Sequence, residues 1–413
     1  MNMREFIKKL DKEGKLLKIS KEVSRKYEIA ALMKKFDGKP IMFENVEDSN
    51  VPIIANVCSS RDIIAEALNT EKEQLLFKIA DAIEKPKKII IKRGKYKEIQ
   101  SLDEIPILTH YPKDGGPYIT SAIFVIKDKE LGINSSFHRM MKIDKKRVVA
   151  RILPRHFDKF VKRGNREFAI CIGSPVQVLI ASAISCELGK SELDVANALL
   201  ETDFHELDNH IVPDSEIVMI AEITDEKTDE GPFVDLTETY DIVRKERIIK
   251  IKKIYVKENF LYHALLPGGL EHKLLMGMPR EPTIFREVNK VCKCKNVIIT
   301  PGGCSWLHAI VQIKKENADD GKKAIEAAFE GHKSLKHVVI VDEDINIYDP
   351  NDVEWAIATR FQANKNIIIK EKQIGSSLDK SADPITRETA KMGIDATIPF
   401  DKNKEDFEKA RLK

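Results

Sequence analysis

The middle of the chain, residues 118–265, is a succession of short apolar segments separated by turns, and it restricts the fold more than any other feature. The segments ITSAIFVIKD, LGINSSFHRMM, RVVARIL, FAICIGS, EIVMIAEI and RIIKIKKIYVK have the length and the β-branched content of strands. One helical pattern, SPVQVLIASAIS, interrupts them. Several strands at this spacing predict a barrel-like β domain.

Both flanks of this region alternate helices with strands. In the N-terminal flank, REFIKKLDKEGK and EIAALMKKF have a helical period, whereas LLKIS, PIMFENV and VPIIANV have the pattern of strands. In the C-terminal flank, the helices TIFREVNKV and NDVEWAIATRF alternate with the strands NVIITP, HVVIVDE and NIIIK, which predicts βαβ units and a partly parallel sheet. The expected fold is α/β (α+β), with an N-terminal α/β domain at 1–105, a β domain at 106–285 and a C-terminal α/β domain at 286–413.

Charge and composition exclude several classes of function. The 413 residues include 69 Lys and Arg and 66 Asp and Glu, so the formal net charge is only +3. That balance gives no reason to expect a nucleic acid or an anionic membrane as a partner. The N-terminus is charged from its start and no apolar run has the length of a membrane span, so we expect a cytoplasmic protein. The six cysteines are scattered, which favours reduced thiols.

Motifs that would assign other chemistry are incomplete. HELDNH is one residue too long for the HExxH zinc motif, and the GKS at 189–191 lacks the earlier glycine of a P-loop. VDEDINIYDPND has acids at calcium-loop spacing, but Ile347 stands where that loop needs glycine. These acids are better explained as a strand end that caps the following helix.

The segment LGINSSFHRMM carries polar residues on both faces of a predicted strand. Asn134 and His138 fall on one face, and Phe137 and Arg139 fall on the other. A strand that only filled a core would not place an arginine in line with a phenylalanine. If Asn134 and Arg139 serve one site, a bulge or a strand end must lie between them.

Three further segments place polar residues beside turns. RILPRHF carries Arg155 and His156, EITDEKTDEGPF carries Glu226, and LPGGLEHK carries Glu271. The amide oxygen of Asn134, an imidazole and a carboxylate form a set that suits Mn²⁺ or Mg²⁺, often with a phosphate as a further ligand. Taken singly, each residue has a plainer explanation as a bulge residue, a surface histidine or a solvated loop acid.

The order of these segments resembles that of the UbiD family of reversible decarboxylases, which use prenylated flavin mononucleotide (FMN). The likeness extends from the N-terminal α/β unit to about residue 397. It is carried by EGPF, LPGGLEH, PGGCSWLHAIVQIKK, VIVDEDINIYDPNDVEWAIATR and SSLDKSADPITRETAKMGIDAT. The resemblance implies a central split β-barrel that binds the prenylated flavin, between two α/β domains.

The resemblance also implies roles for single residues. Arg139 and Glu271 are expected to be catalytic, Arg139 by orienting the substrate carboxylate through its fork and Glu271 by donating the proton. The metal expected on Asn134, His156 and Glu226 is Mn²⁺ or Mg²⁺, with K⁺ as a further candidate ion. Glu222 is the alternative to Glu226. The expected cofactor contacts are Asn134, Phe137, His138, Arg139, Arg155, His156, Glu226 and Lys391.

The implied function is decarboxylation of an unsaturated carboxylic acid. Short archaeal members of the family decarboxylate trans-anhydromevalonate 5-phosphate to isopentenyl phosphate in the archaeal mevalonate pathway, and that reaction is the expectation here. The alternative is a 3-polyprenyl-4-hydroxybenzoate or other aromatic acid decarboxylase of quinone biosynthesis. The resemblance further implies a flavin prenyltransferase that supplies the cofactor, and a homo-oligomer (dimer or hexamer) assembled through the C-terminal domain.

Overall fold

The computed structural model describes residues 1–410 and separates into two compact units, Met1–Leu275 and Met276–Lys413. Both units combine helices with sheets, so the predicted mixed α/β class is confirmed. The division into three domains stays a prediction. Among the helices of residues 1–410, none combines the length and the apolarity required to cross a bilayer.

The helices that begin in the first unit are short and surround its sheets. They are α1 (Met3–Lys12), α2 (Glu28–Lys35), α3 (Arg61–Ala67), α4 (Leu75–Glu84), α5 (His156–Lys162), α6 (Val176–Ser182), α7 (Glu192–Leu199) and α8 (Leu270–Gly277). The predicted helical interruption in SPVQVLIASAIS is confirmed as α6.

The strands of the first unit fall before, within and after the β-rich middle of the chain. They are β1 (Leu17–Ile19), β2 (Ile41–Phe43), β3 (Ile53–Ala55), β4 (Ile91–Lys92), β5 (Lys97–Ile99), β6 (Tyr118–Ile119), β7 (Ile123–Asp128), β8 (Gly132–Phe137), β9 (Met140–Lys142), β10 (Arg147–Ala150), β11 (Glu167–Ile172), β12 (Phe204–Leu207), β13 (His210–Pro213), β14 (Ile217–Glu230), β15 (Phe233–Val234), β16 (Tyr240–Asp241), β17 (Arg244–Val256) and β18 (Tyr262–His263). A four-stranded sheet has the order β1-β2-β3-β18.

The large sheet of this unit has nine strands. Its order is β6-β9-β10-β17-β14-β11-β7-β8, and β5 pairs with β17 beside this path. Neighbouring strands are antiparallel, and the long strands β14 and β17 form its centre. Apolar side chains such as Phe124, Phe168 and Ile170 are fully buried in the core of the unit. Most strands of the β-rich middle of the sequence therefore belong to the sheet that positions the site described below, whereas β12 and β13 pair with β4 in a separate sheet and β15 pairs with β16.

The strand that carries Asn134 ends before Arg139. Strand β8 stops at Phe137, the N–H of His138 donates to the carbonyl of Ala122 at 3.1 Å, and β9 begins at Met140. The predicted strand end between Asn134 and Arg139 is thus confirmed. Arg139 lies in the connection between two strands, where its side chain does not follow the alternation of β8.

The EGPF turn is fixed by close backbone packing. Gly231 has φ +101°, which favours glycine. A Cβ on Gly115 would lie 2.2 Å from the carbonyl oxygen of Gly231, and the N–H of Gly115 donates to the carbonyl of Pro232 at 3.0 Å. The loop that contains Gly115 therefore packs on the turn and holds the end of β14, where Glu230 lies.

The second unit contains a five-stranded sheet with the order β19-β20-β21-β23-β22. Its strands β20, β21 and β23 are parallel to one another, so the predicted partly parallel sheet is confirmed. The elements are β19 (Lys293–Ile299), β20 (His308–Lys314), β21 (His337–Asp342), β22 (Ile367–Ile374), β23 (Glu388–Asp395), α9 (Glu281–Asn289), α10 (Asp320–Gly331) and α11 (Pro350–Arg360).

The DEDINIYDPND segment is held by a buried arginine in this unit. Arg360 is 1% exposed and donates to Oδ2 of Asp342 at 3.0 Å and to both carboxylate oxygens of Asp344, at 2.9 and 2.6 Å. Asp349 caps α11 through the N–H of Asn351 at 2.9 Å. The acids of this segment therefore stabilise a strand end and a helix start, as the sequence predicts.

Acid should destabilise the fold through His110. Its side chain is 3% exposed, neither ring nitrogen has a hydrogen-bond partner within residues 1–410, and burial lowers its pKa to about 3. Because the folded-state pKa lies below the unfolded value near 6.5, the contribution of His110 to stability is complete above that pH and is lost as the pH falls toward 3. Between pH 7 and pH 5 the wild type should lose roughly 1–2 kcal/mol more unfolding free energy than His110→Phe.

Urea unfolding of both proteins at the two pH values measures this difference, and the subtraction removes the contribution of the carboxylates. Equal losses in the wild type and in His110→Phe would contradict the prediction.

Candidate active site

Arg139 is surrounded by three carboxylates. Its Nε and Nη2 donate to the two oxygens of Glu230 at 3.0 and 3.1 Å. Its Nη1 donates to Oδ2 of Asp235 at 3.0 Å, and Nη2 also donates to Oδ2 of Asp241 at 3.0 Å. Four of the five N–H donors of the guanidinium are therefore used within the chain.

This saturation changes the role expected for Arg139 from the sequence. Only one N–H, on Nη1, remains for a substrate, so the guanidinium does not offer a two-point fork to a carboxylate while these contacts persist. In this structure its hydrogen bonds fix the positions of Glu230 and Asp235, and its role in orienting the substrate stays a prediction.

The cluster around Arg139 is buried and packed against aromatic rings. Glu230 is fully buried, and the side chain of Arg139 is 11% exposed. The guanidinium carbon lies 4.5 Å from the ring centroid of Phe233, and the hydroxyl of Tyr118 donates to Oε1 of Glu230 at 3.1 Å. Burial lowers the pKa of Arg139, but the neighbouring carboxylates outweigh it, so the guanidinium stays charged.

Asn134 lies beside a glutamate that was absent from the predicted set. The Nδ2 of Asn134 donates to Oε2 of Glu192 at 3.2 Å, and the N–H of Ser135 donates to the same oxygen at 2.9 Å. The hydroxyls of Ser135 and Ser182 are 2.6 Å apart. Glu192 is the first residue of α7 and Ser182 the last of α6, and both helices pack against β8.

Glu192 has the surroundings of a metal ligand. It is 1% exposed, and the groups that bond its carboxylate are neutral, among them the amide of Asn134 and the N–H groups of Ser135 and Cys186. Burial raises its pKa to about 7, although these hydrogen bonds act in the opposite direction. A buried carboxylate beside an amide side chain, with no ion pair to it within residues 1–410, fits a divalent metal ion.

His156 is the third candidate ligand near this strand. It is the first residue of α5, which packs against β8. Burial, followed by the charges of Lys159 and Arg155, lowers its pKa and favours the neutral form that binds metals. Within residues 1–410, no three His, Cys, Asp or Glu side chains converge as a ligand set. A metal here therefore needs the amide oxygen of Asn134 as one of its ligands.

Glu226 lies in a different environment. Its side chain is 60% exposed and accepts from Nζ of Lys250 at 3.3 Å. The alternative, Glu222, pairs with Lys252 at 3.1 Å and is 39% exposed. Both are solvated ion pairs of the strand surface, and the carboxylate that Asn134 contacts is Glu192. We therefore replace Glu226 with Glu192 in the candidate ligand set.

Glu271 opens α8 as predicted, but it does not bond Arg139. It is fully buried, and its Oε1 accepts from the N–H of Cys58 at 3.0 Å and lies 3.1 Å from Nε2 of His263. These contacts tie α8 to the loop after β3 and to β18. The acids that bond Arg139 are instead Glu230 and Asp235 at the EGPF turn and Asp241 on β16.

The remaining predicted contacts are dispersed. Phe137 ends β8, and His138 stacks on Phe124 with ring centroids 4.5 Å apart, its Nε2 3.1 Å from the hydroxyl of Ser136. Burial lowers the pKa of His138 to about 4. Arg155 is exposed at the start of α5. Lys391 belongs to β23 of the second unit, where its Nζ donates to the carbonyl of Lys333 at 2.6 Å.

Family models of 3-octaprenyl-4-hydroxybenzoate carboxy-lyase (UbiD) match nearly the whole chain. The model of the N-terminal domain matches residues 7–83, that of the Rift-related domain matches 87–270, and that of the C-terminal domain matches 273–396. The chain belongs to the UbiD family.

Individual UbiD-family relatives match over the full length. The anhydromevalonate phosphate decarboxylases of Methanocaldococcus jannaschii and Methanosarcina mazei are 45% and 43% identical to this chain, and both alignments cover 99% of each protein. HmfF, a UbiD-class enzyme of Pelotomaculum thermopropionicum solved in complex with FMN, superposes with a TM-score of 0.95 at 35% identity, over 99% of this chain and 97% of HmfF. An evolved dimeric form of HmfF in complex with prFMN gives a TM-score of 0.90 at 34% identity, over 100% of this chain and 97% of HmfF.

Sequence reasoning missed Glu192, Glu230, Asp235 and Asp241. Glu192 follows Ser191, which caps α7 through the N–H of Leu193, so it has the pattern of an ordinary first-turn acid. Glu230 is the first residue of the quoted EGPF motif and Asp235 follows the motif by two residues, and this position was the available signal. Their pairing with Arg139 depends on tertiary contacts that spacing along the chain does not contain.

The metal assignment is tested by two glutamine substitutions. Glu192→Gln keeps the shape and removes the charged oxygen ligand, so the affinity of the purified protein for Mn²⁺ should fall by about 10–100-fold or more. Glu226→Gln is the matched control, because it removes an equal charge from a solvated ion pair, and it should bind Mn²⁺ within about twofold of the wild type.

Calorimetric titration with Mn²⁺ alone, together with circular dichroism to verify folding, measures both variants. Loss of Mn²⁺ binding in Glu226→Gln with normal binding in Glu192→Gln would restore the original ligand set.

Proposed function

We propose that this chain is a prenylated-FMN-dependent decarboxylase that converts trans-anhydromevalonate 5-phosphate to isopentenyl phosphate. The observation that carries the proposal is the full-length identity of 45% with a relative named anhydromevalonate phosphate decarboxylase. The cluster of Arg139 with Glu230, Asp235 and Asp241 gives the chain a carboxyl group that can supply a proton. The alternative substrate, a 3-polyprenyl-4-hydroxybenzoate, is an arm of the test below.

The proposed reaction replaces the carboxylate group of the substrate with a proton. The bond between the substrate carbon and its carboxylate breaks, CO₂ leaves, and a C–H bond forms with a proton from the protein. When bound, the prenylated flavin supplies the electron sink for the electron pair that the departing CO₂ leaves behind. The side chains of the protein position the substrate carboxylate, exclude water and deliver the proton.

Asp235 is the proposed proton donor. Its side chain is 21% exposed, whereas Glu230 is fully buried and accepts hydrogen bonds from Arg139 and Tyr118. A donor must reach the substrate and recover its proton from solvent in each turnover. Glu230 instead fixes the orientation of Arg139, which holds Asp235 in place.

The proposed cofactor anchor is the set of polar residues on β8 and on the two helices, α5 and α7, that pack against it. Asn134, His156 and Glu192 would hold Mn²⁺ or Mg²⁺, and the metal would bind the phosphate of the flavin. The hydroxyls of Ser135 and Ser182 lie beside this group. Lys391 as a phosphate contact stays a prediction, and so do Phe137, His138, Arg155 and a K⁺ ion.

The proposal includes two protein partners. A flavin prenyltransferase must supply the modified cofactor, because the reaction depends on it. A second copy of the chain is the other partner, as in the evolved dimeric form of HmfF. The proposed location is the cytoplasm, where thiols stay reduced, and the six cysteines of this chain form no disulfide within residues 1–410.

Activity should depend on the supply of prenylated flavin. Protein that is co-expressed with a flavin prenyltransferase should release CO₂ from trans-anhydromevalonate 5-phosphate and show flavin absorbance, whereas protein from a host without that enzyme should be inactive. A 3-polyprenyl-4-hydroxybenzoate assayed in parallel should give little product. Preference for this aromatic acid would instead support the alternative function in quinone biosynthesis. Turnover by flavin-free protein would show that the reaction does not depend on prenylated flavin.

Replacing the proton donor should slow turnover without loss of the cofactor. Asp235→Asn should lower kcat by about 10²-fold or more, the usual scale for a general acid, and should slow deuterium incorporation into the product in parallel. Bound flavin should stay at the wild-type level, because its proposed anchor is on β8. Absorbance and product isotope analysis measure both effects.

Glu271→Gln is the control for this experiment. Since Glu271 bonds Cys58 and His263 and not Arg139, its replacement should lower the melting temperature and leave kcat within about threefold. A large loss of kcat in folded Glu271→Gln, with normal turnover in Asp235→Asn, would return the acid role to Glu271.

A further inference from the structure

Asp241 joins the cluster around Arg139 from a separate hairpin. It lies on β16, which pairs with β15 so that Asp241 is opposite Phe233. Its Oδ2 accepts from Nη2 of Arg139 at 3.0 Å and from Nη1 of Arg244 at 2.6 Å. Its Oδ1 accepts from the N–H of Ile242 at 2.9 Å. One carboxylate oxygen thus connects two guanidinium groups.

Hydrogen bonds from two arginines hold Asp241 in its ionised form. Burial raises its pKa, but the hydrogen bonds from Arg244 and then Arg139 outweigh that effect and lower it to about 2. At neutral pH, Asp241 is therefore an anion beside Arg139. Its side chain is 16% exposed and that of Arg244 is 25% exposed, so solvent screens this pair only partly.

The charges of the cluster do not balance. Glu230, Asp235 and Asp241 supply three negative charges when ionised, and Arg139 and Arg244 supply two positive charges, which leaves −1. Carboxylates that share a buried site resist full ionisation, because each disfavours the charge of the others. Under the proposed function, one acid of the cluster carries the proton that replaces CO₂, and with that proton the charges of the cluster balance.

The other groups that face the cluster are neutral or paired. The hydroxyl of Tyr118 donates to Glu230. His272 is within electrostatic reach of Asp235 and Arg139, but burial, its largest influence, lowers its pKa, and its Nδ1 accepts the N–H of Gly268 at 3.1 Å. Lys273, the next residue along α8, donates to Glu238 at 2.6 Å.

We propose that Asp241 and Arg244 form a positioning pair whose opposite charges set the pH range over which the Arg139 cluster retains its proton. The inference rests on the proposed function, in which that proton replaces CO₂. Asp241 favours retention of the proton, because its negative charge opposes ionisation of the neighbouring acids. Arg244 weakens that effect by neutralising part of the charge on Asp241.

Removal of the two partners should have opposite consequences. In Asp241→Asn the cluster loses an anion and should release its proton at lower pH, by about one unit. In Arg244→Gln the charge of Asp241 is less compensated, and proton release should move to higher pH. A merely structural role would move both variants in the same direction or leave both unchanged.

The first measurement needs neither cofactor nor substrate. Protein labelled with ¹³C at the carboxyl carbons of Asp and Glu is titrated by NMR, and Glu230→Gln and Asp235→Asn assign the signals of the cluster. The midpoint should fall in Asp241→Asn and rise in Arg244→Gln. Because this titration is independent of turnover, a failure of the proposed function does not affect it.

The second measurement is the pH profile of kcat for the enzyme loaded with prenylated flavin. A general acid must be protonated before it acts, so activity is lost as the pH rises through the release of the proton. This limb should move down by about one unit in Asp241→Asn and up in Arg244→Gln, with KM within about threefold. Asp144→Asn and Arg147→Gln are the controls, since they remove equal charges from an exposed pair at 2.6 Å beside β10.

Unchanged midpoints in both variants, or shifts in the same direction, would overturn the proposal. If Asp241→Asn does not fold, the direction of the shift in Arg244→Gln decides alone, and a shift to lower pH overturns the proposal. Opposite shifts in the titration without any turnover of the wild type would support the pair and reject the decarboxylase function.

Discussion

The contacts of Arg139 with Glu230, Asp235 and Asp241 determine how the candidate active site is assembled. The partners are 91, 96 and 102 residues away from Arg139 along the chain, so no local preference brings them together. A buried guanidinium is costly to desolvate unless its N–H groups are satisfied, and here four of them are. Loss of Arg139 would leave its carboxylate partners without their shared cation, which typically costs about 3–5 kcal/mol. The connection after β8, the EGPF turn and the β15–β16 hairpin are therefore held in one arrangement.

Two groups of polar side chains lie along strand β8 and beyond its end. Along the strand, Asn134 and Ser135 face residues from the helices that pack on it, Glu192 of α7 and Ser182 of α6. Beyond the end of the strand, Arg139 gathers its carboxylates. The first group consists of neutral donors around one buried acid, which suits a cation, whereas the second is a charged network that suits a proton. The strand end lets neighbouring residues contribute to both.

The architecture was predictable because its signals are local. Apolar residues recur every two residues in strands and every 3.6 residues in helices, and both patterns can be seen in the sequence itself. The β-rich middle and the alternating flanks were identified from them. Asn134 and Arg139 were identified for the same reason, since polar residues are unusual in an apolar strand. His156 was indicated by its position after a proline at a strand end, and α5 begins there.

The acids were harder to assign, and β14 shows why. Its pairing with β17 shifts register between Ile220 and Ala221 and again between Ile223 and Lys227. The strand then runs through exposed acids before Glu230, which is fully buried at its end. A glutamate in an acid-rich strand cannot be assigned to a face by counting residues across such irregularities. That Glu230 is the fully buried acid of this strand, while Glu222 is half-buried and Glu226 is exposed, depends on information that only the folded sheet contains.

In the proposed reaction, a negative charge near Arg139 moves from the substrate carboxylate to the acid that donates the proton. The substrate brings a carboxylate, and it leaves as neutral CO₂ and a product that has gained a proton. The negative charge then lies on the acid that donated the proton, until that acid takes up a new proton from solvent. A guanidinium already fixed among its carboxylates can stabilise both distributions with little rearrangement, which is the condition under which electrostatic preorganisation is effective. A lysine has three donors and no planar fork, so it could not hold the two oxygens of Glu230 together with Asp235 and Asp241. The arrangement of these carboxylates therefore requires an arginine at position 139.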